Sequence, residues 1–270
     1  SKFNYVIAEA IIDSTTILLD ATDKNLSWNI IPEACQNGKG RRVSRDDYFN
    51  DWVELNGKAP NEKTYFNQVK LDSLGNIKGN FSLMYSELLA VGAAEKIRNS
   101  NSEEEFINEI ETSFTGMYID NYTIENLTDR TQPLYIKMDG GFKHNIDGTV
   151  KDVIYFNPGM GMLIDKNPFK SETRVYPIDF IRPMANKVIC MITIPDGYEV
   201  AELPKNINLG MSERRGSYRY SVVVNGNTIQ LSATLSINTS LITFDNYEEI
   251  RELYNRIVAK NNEMVVLKKI

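Results

Sequence analysis

Residues 3–42 read FNYVIAEAIIDSTTILLDATDKNLSWNIIPEACQNGKGRR. Two apolar-rich runs, 3–12 and 15–19, flank a short break at Asp13-Ser14. Such runs on either side of a two-residue polar break predict a β-hairpin, even without the favoured Asn-Gly pair. With Asp13 and Ser14 as the turn, Ile12 pairs with Thr15 and Ile7 stands opposite Asp20. Tyr5 is then diagonal to Asp20 on the same face. Diagonal neighbours across a sheet lie about 7–8 Å apart, within reach of long side chains. A slip of one residue would send the two to opposite faces.

The residues Phe3-Asn4-Tyr5-Val6, Leu18-Leu19-Asp20-Ala21-Thr22-Asp23, Pro32-Glu33-Ala34-Cys35 and Asn37-Gly38-Lys39-Gly40 follow one another in an order that carries a resemblance. The stretch resembles the second half of a bacterial transglutaminase-like core of the Bacteroidetes type. That papain-related superfamily uses a Cys-His-Asp triad, with the Cys at a helix start early in the core. The His and Asp lie on neighbouring antiparallel strands. The resemblance puts Asp20 at the triad Asp and Tyr5 at the triad His, and it puts the triad Cys before Ser1. It implies a C-terminal portion of a transglutaminase-like protein, non-catalytic as it stands, with Tyr5 and Asp20 as vestigial triad positions. The remainder resembles the β-rich region of unknown function that trails such cores. The resemblance further implies an exported protein, periplasmic or at the cell surface. Its partner would be the missing N-terminal core of the same protein. Cysteine-type peptidase or transglutaminase activity, if any, would belong to the full-length protein.

A Cys-His-Asp site needs a thiolate, an imidazole to hold its proton and a carboxylate to orient the imidazole. Of these, residues 3–42 supply the carboxylate, Asp20. The Tyr5 phenol, with an ordinary pKa near 10, is a neutral donor at pH 7 and not a ready base. A plainer role for Asp20 is a strand-end carboxylate that caps the turn over 21–23. Cys35 follows the Asp in sequence, and the chain has one His, His144, in no motif with it. One His and two scattered Cys offer no zinc spacing, and Asp20, Asp23 and Asn25 match no calcium loop. Neither a metal nor a cofactor is expected.

Net charge is −6, which disfavours nucleic acid and anionic membrane as partners. No apolar run approaches eighteen residues, so no membrane-spanning helix is expected. Cys35 and Cys190 read as two buried free thiols. At 270 residues and 42% hydrophobic content the chain can build its own core without staples.

The pattern divides the chain into three: 1–58, the hairpin and a following loop; 59–114, two strands and two helices; and 115–270, a β-rich region closed by a helix. Strands are expected at 63–71, 77–83, 117–125, 133–142, 149–158, 187–195, 217–224 and 228–237. Asn225-Gly226 gives the strongest hairpin signal. Ser102 with Glu105, and Asp245 with Glu248, read as helix caps. Blocks of strands with antiparallel hairpins and a few helices make the fold class α+β, with a mostly antiparallel, β-sandwich-like region after the hairpin. Tyr118, Tyr122, Tyr135, Tyr155, Tyr218 and Tyr220 fall on these strands. An aromatic sheet face would suit glycan or peptide, so a binding or assembly module is the alternative to a lapsed enzyme.

Overall fold

The computed structural model describes residues 5–43, 51–57, 59–143, 148–150 and 152–270. Phe3, Asn4 and His144 lie outside the described residues. The opening hairpin joins β1 (Ala8–Ile12) to β2 (Thr15–Leu19) in the expected register, with Ile12 opposite Thr15 and Ala8 opposite Leu19. Asp13 and Ser14 have φ of 48° and 65°, the doubly left-handed pattern of a type I′ turn. Short polar side chains enter that region by bonding locally to the backbone, so Asp-Ser serves where Asn-Gly is commoner. The segment read as loop contributes β3 (Lys39–Arg41), which pairs with β4 (Trp52–Glu54).

The body of the molecule opens with β5 (Asn61–Leu71), β6 (Ile77–Tyr85), α1 (Glu87–Asn99), α2 (Glu103–Thr112), β7 (Met117–Glu125) and β8 (Leu134–Phe142). Short strands β9 (Gly148–Val150), β10 (Val153–Phe156) and β11 (Ile178–Asp179) lead to β12 (Met184–Thr193), β13 (Tyr198–Glu202) and β14 (Ile207–Gly210). The chain continues through β15 (Gly216–Asn225), β16 (Thr228–Ile237), β17 (Leu241–Ile242), α3 (Tyr247–Asn261) and β18 (Val265–Lys269). Eight strands form one sheet in the order β14-β15-β16-β12-β5-β6-β8-β7. Its pairings are antiparallel except the central one, where β5 runs parallel to β12. A four-stranded sheet, β13-β18-β10-β9, stands apart from it. The fold is α+β and mostly antiparallel, and the large sheet takes strands from both sides of position 115.

The period-two pattern of β5 shows why the large sheet has two unlike faces. Tyr65, Asn67, Val69 and Leu71 are buried, while Phe66, Gln68 and Lys70 are exposed. The same alternation runs through β16, where Ile229, Leu231, Ala233, Leu235 and Ile237 point inward. Onto this inner face pack Ile97 of α1, Phe106 and Ile110 of α2, and Ile250, Leu253 and Ile257 of α3. Ile154 and Phe156 of β10 and Val265 and Leu267 of β18 join the same cluster, so the small sheet closes the core from the other side. Full burial of each such side chain contributes about 1.5–3 kcal/mol.

Three local details differ from the expectations. The tight turn between β15 and β16 consists of Gly226 and Asn227, because Asn225 pairs with Thr228. Gly226 has φ 60°, and glycine at the first central position marks a type II′ turn. The stretch 149–158 is two strands, not one, with β9 turning back on β10. Helix α3 starts at Tyr247 after a single 3-10 turn over Phe244–Asn246, and no side chain caps it, so Asp245 and Glu248 form no capping box. At α2 the expected Ser102 cap holds: its Oγ accepts from the Glu105 N–H at 3.3 Å. The Glu105 carboxylate accepts instead from Asn101, at 2.8 Å from the backbone N–H.

The connector over 51–57 passes at Gly57 against one buried cation of the body. Arg182 is 5% exposed, and its Nη1 donates to Glu87 at 2.6 Å at the start of α1. A Cβ on Gly57 would fall 1.8 Å from that guanidinium. Gly57→Ala therefore displaces Arg182, and a loss of about 1–3 kcal/mol in denaturant unfolding is expected, as for other overpacked sites. In the core, Asn67 is fully buried between strands. Its Nδ2 donates to Met162 Sδ at 3.0 Å and to Cys190 Sγ at 3.4 Å, while its Oδ1 has no partner among the described residues. Sulfur acceptors are weak, so replacing this amide by an apolar group of similar shape loses little. Asn67→Leu should keep or raise the melting temperature. Asn67→Asp should lower stability by about 3 kcal/mol or more, since it buries a carboxylate without a cation.

Candidate functional site

The hairpin register carries the candidate site. Continuing the β1–β2 ladder beyond Ala8 and Leu19 sets Tyr5 opposite Thr22, with Asp20 on the diagonal. The side chains meet as that geometry requires. The Thr22 hydroxyl donates to Asp20 Oδ1 at 2.6 Å, and the Thr22 N–H donates to the same oxygen at 2.8 Å. The Tyr5 hydroxyl lies 2.5 Å from Thr22 Oγ1. Thr22 has one hydroxyl proton and gives it to Asp20, so Tyr5 is the donor in that contact. The result is a directed chain, phenol to hydroxyl to carboxylate, at the surface: Tyr5 is 44% exposed.

The electrostatics follow from the contacts. The Thr22 hydroxyl holds the Asp20 carboxyl below its ordinary range, helped by the Thr22 and Asp23 backbone N–H groups and by Tyr5. On Tyr5 the hydrogen bond to Thr22 pulls the pKa down. Partial desolvation and the neighbouring Asp20 carboxylate outweigh it, and the net shift is upward. Cys35 ends a 3-10 turn over Glu33–Cys35 that follows Pro32, and its side chain is buried. Burial raises its thiol pKa, and the Asp20 charge raises it further.

Sequence reasoning placed Tyr5 and Asp20 on one face, and the structure brings them into one network. It did not identify Thr22, which bridges them, although a Thr two residues after an Asp is the signal of a side-chain-closed turn. It set Cys35 aside because that residue follows the Asp in sequence; in the structure the Asp20 charge nonetheless acts on the Cys35 thiol. His144 lies outside the described residues, so the pair Cys35–His144 has no geometry here. Among the described residues no group of three or more His, Cys, Asp or Glu side chains is placed to hold a metal ion. No helix among them is long and apolar enough to cross a membrane.

The hairpin is held against β3 by a two-pronged ion pair. Arg42 Nε and Nη2 donate to Glu9 Oε2 and Oε1, both at 2.6 Å. A cleft of about 410 Å³ lies between the hairpin and β3–β4, lined by Ile7, Ile11, Leu18, Val53 and Leu55 among others. The strand tyrosines are divided between the two sides, with Tyr135 in register with the outward Lys137 and Asp139. Tyr218 and Tyr220 are buried at 2% and 1%, on the inner side of the sheet. Tyr122 is also packed against the core. The outer face presents Phe66 beside a cleft of about 450 Å³ that is polar at Gln68, Asn80, Thr123, Lys137 and Asp139.

The family profile described as a domain of unknown function with a solved structure (DUF3858) matches residues 152–267. The matched span runs from β10 into β18 and leaves β5–β8 outside it. No curated protein matches the chain. Among solved structures, the chain is similar to a "putative protease" from Parabacteroides distasonis, with 11% identity and a TM-score of 0.45. That similarity covers 97% of this chain and 35% of the other, so the chain spans about a third of that protein's length.

One measurement separates the charge effect on Cys35 from plain burial. Alkylation of Cys35 by iodoacetamide, followed across pH 6–10 by mass spectrometry, reports the thiolate fraction. Because the Asp20 charge raises the thiol pKa, Asp20→Asn should move the profile to lower pH. An unchanged profile would leave burial as the sole cause.

Proposed function

We propose that this chain is a non-catalytic C-terminal region of a transglutaminase-like protein, in which the strand pair that carried the imidazole and its carboxylate survives as the Tyr5–Thr22–Asp20 chain. The observation that supports it is the hairpin register, which puts position 5 diagonal to Asp20 and joins them through one hydroxyl. Catalysis by such a site requires a group that accepts a proton near neutral pH. Tyr5 does not meet the requirement, because its phenol is already raised above an ordinary value near 10. Asp20 has its Oδ1 engaged by both the N–H and the hydroxyl of Thr22. Cys35 is held as the thiol by burial and by the Asp20 charge, so it is a poor nucleophile.

On the same resemblance, the protein is exported to the periplasm or cell surface. Any peptidase or transamidase chemistry belongs to the full-length protein, whose N-terminal core is the partner of this hairpin. Residues 59–114 and 115–270 serve as its accessory region. A second reading, a module that binds glycan or peptide, draws on the polar outer sheet face around Phe66. The burial of Tyr218 and Tyr220 removes two of the aromatics that it would use.

The test is turnover. The chain, supplied with fluorogenic peptide amides and separately with a glutamine peptide and a primary amine, should give no product above buffer. Product formation that disappears in Asp20→Ala would overturn the proposal, because it would show a working carboxylate. The Tyr5→His variant should also be inactive, since restoring an imidazole leaves the buried, raised thiol of Cys35 unchanged.

A further inference from the structure

A groove of about 620 Å³ opens between the inner face of the large sheet and helices α1 and α2, lined also by the loop over 161–164. Its volume lies within the usual range of small-molecule sites, about 300–1,000 Å³. The walls carry an apolar patch: Tyr65 and Leu83 from the sheet, Leu88 from α1, Phe106 from α2, Phe114 just beyond it, and Met162 from the loop. Four charged side chains line it, Lys63, Lys96, Glu109 and Lys187, the last paired with Glu62 at 2.7 Å. Lys96 and Glu109 form an ion pair with each other. Lys63 has no carboxylate partner among the described residues. Its Nζ lies 4.9 Å from the Tyr65 ring centre and 5.6 Å from that of Tyr85. The groove thus has an apolar patch and, in Lys63, a cation that no carboxylate pairs among the described residues.

A second observation concerns Gly92. It sits in the interior of α1, where glycine costs roughly 1 kcal/mol relative to alanine. A Cβ there would meet no atom within 4 Å, so no close packing requires the glycine. The residue lines the groove. A larger side chain at that position would project into open space at the mouth.

We propose that this groove binds a small amphipathic carboxylate, with its alkyl or aryl body against Tyr65, Phe106 and Phe114 and its anionic end on Lys63. Charge complementarity selects the anion. The apolar patch of Tyr65, Leu83, Phe106 and Phe114 suits an alkyl or aryl body for the rest of the ligand. The site is separate from the hairpin, and its occupancy does not depend on whether the triad positions are vestigial.

Decanoate and its neutral counterpart decanol are the probes, titrated into the full chain and followed by calorimetry and by amide chemical shifts. Decanoate should bind saturably and shift amides of α1, α2 and the 161–164 loop. Lys63→Met should weaken decanoate by roughly tenfold or more, as expected for loss of a charge-assisted contact, and leave decanol within about twofold. Gly92→Phe should abolish both, whereas Gly92→Ala, which adds a single methyl in open space, should retain both. Melting curves of each variant identify one that has failed to fold, in which case Lys63→Gln and Gly92→Leu take its place. Absence of saturable decanoate binding overturns the proposal. So does binding that is indifferent to Lys63 and Gly92, or a short apolar peptide with a blocked C-terminus binding more tightly than decanoate.

Discussion

The eight-stranded sheet has one face to bury, and that requirement organises the rest of the molecule. Alternate residues along β5, β6, β8, β12, β15 and β16 point to the same side. A sheet of that width presents more apolar surface than one helix can cover. The cover is therefore composite. Helices α1 and α2 lie over one part, α3 contributes Ile250, Leu253 and Ile257, and the small sheet closes the remainder with Ile154, Phe156, Val265 and Leu267. The outer face, free of that requirement, carries amides, hydroxyls and charges, with Asn80 donating to Asp139 at 2.5 Å.

Where two covering elements meet, their fit is incomplete, and this is how the fold makes a concave site. The groove under α1 and α2 lies at such a junction, between sheet, helices and the 161–164 loop. The hairpin cluster arises differently. It stands outside the main core, held by the Arg42–Glu9 pair and by the strand register, and its chemistry is a matter of hydrogen bonds among exposed side chains. The two sites thus rest on separate interactions.

Much of the architecture was legible in the sequence because the relevant patterns are local. The alternation in 63–71, the Ser102 cap and the Asp13-Ser14 break each specify their own few residues. The hairpin register even placed Tyr5 and Asp20 together. The features that escaped are of two kinds. Some depend on a one-residue offset that composition does not resolve, as with Gly226-Asn227 in place of Asn225-Gly226. Others depend on distant partners. Strands as short as Lys39–Arg41 or Ile207–Gly210 exist only because a neighbour pairs with them. Cys35, on which the Asp20 charge acts, ends a 3-10 turn after Pro32 that has no strong sequence signature.

The parallel pairing of β5 with β12 was also invisible in the pattern, and it has a consequence for how the polypeptide must be assembled. Strands β6, β8 and β7 can zip onto β5, and β16, β15 and β14 onto β12, each by short-range hairpins or nearby returns. Joining the two halves closes a loop of more than a hundred residues, from Asn61 opposite Met184 to Lys70 opposite Thr193. Such closure is the slow, entropically costly step of a fold. Until it occurs, β12 and β5 each expose a long row of unpaired backbone groups with apolar residues on one side, which is the geometry of intermolecular strand addition. A fragment cut at the boundary of the matched span, 152–267, would retain β12 without β5. It would carry that bare edge permanently, and self-association rather than independent folding is the behaviour its geometry favours.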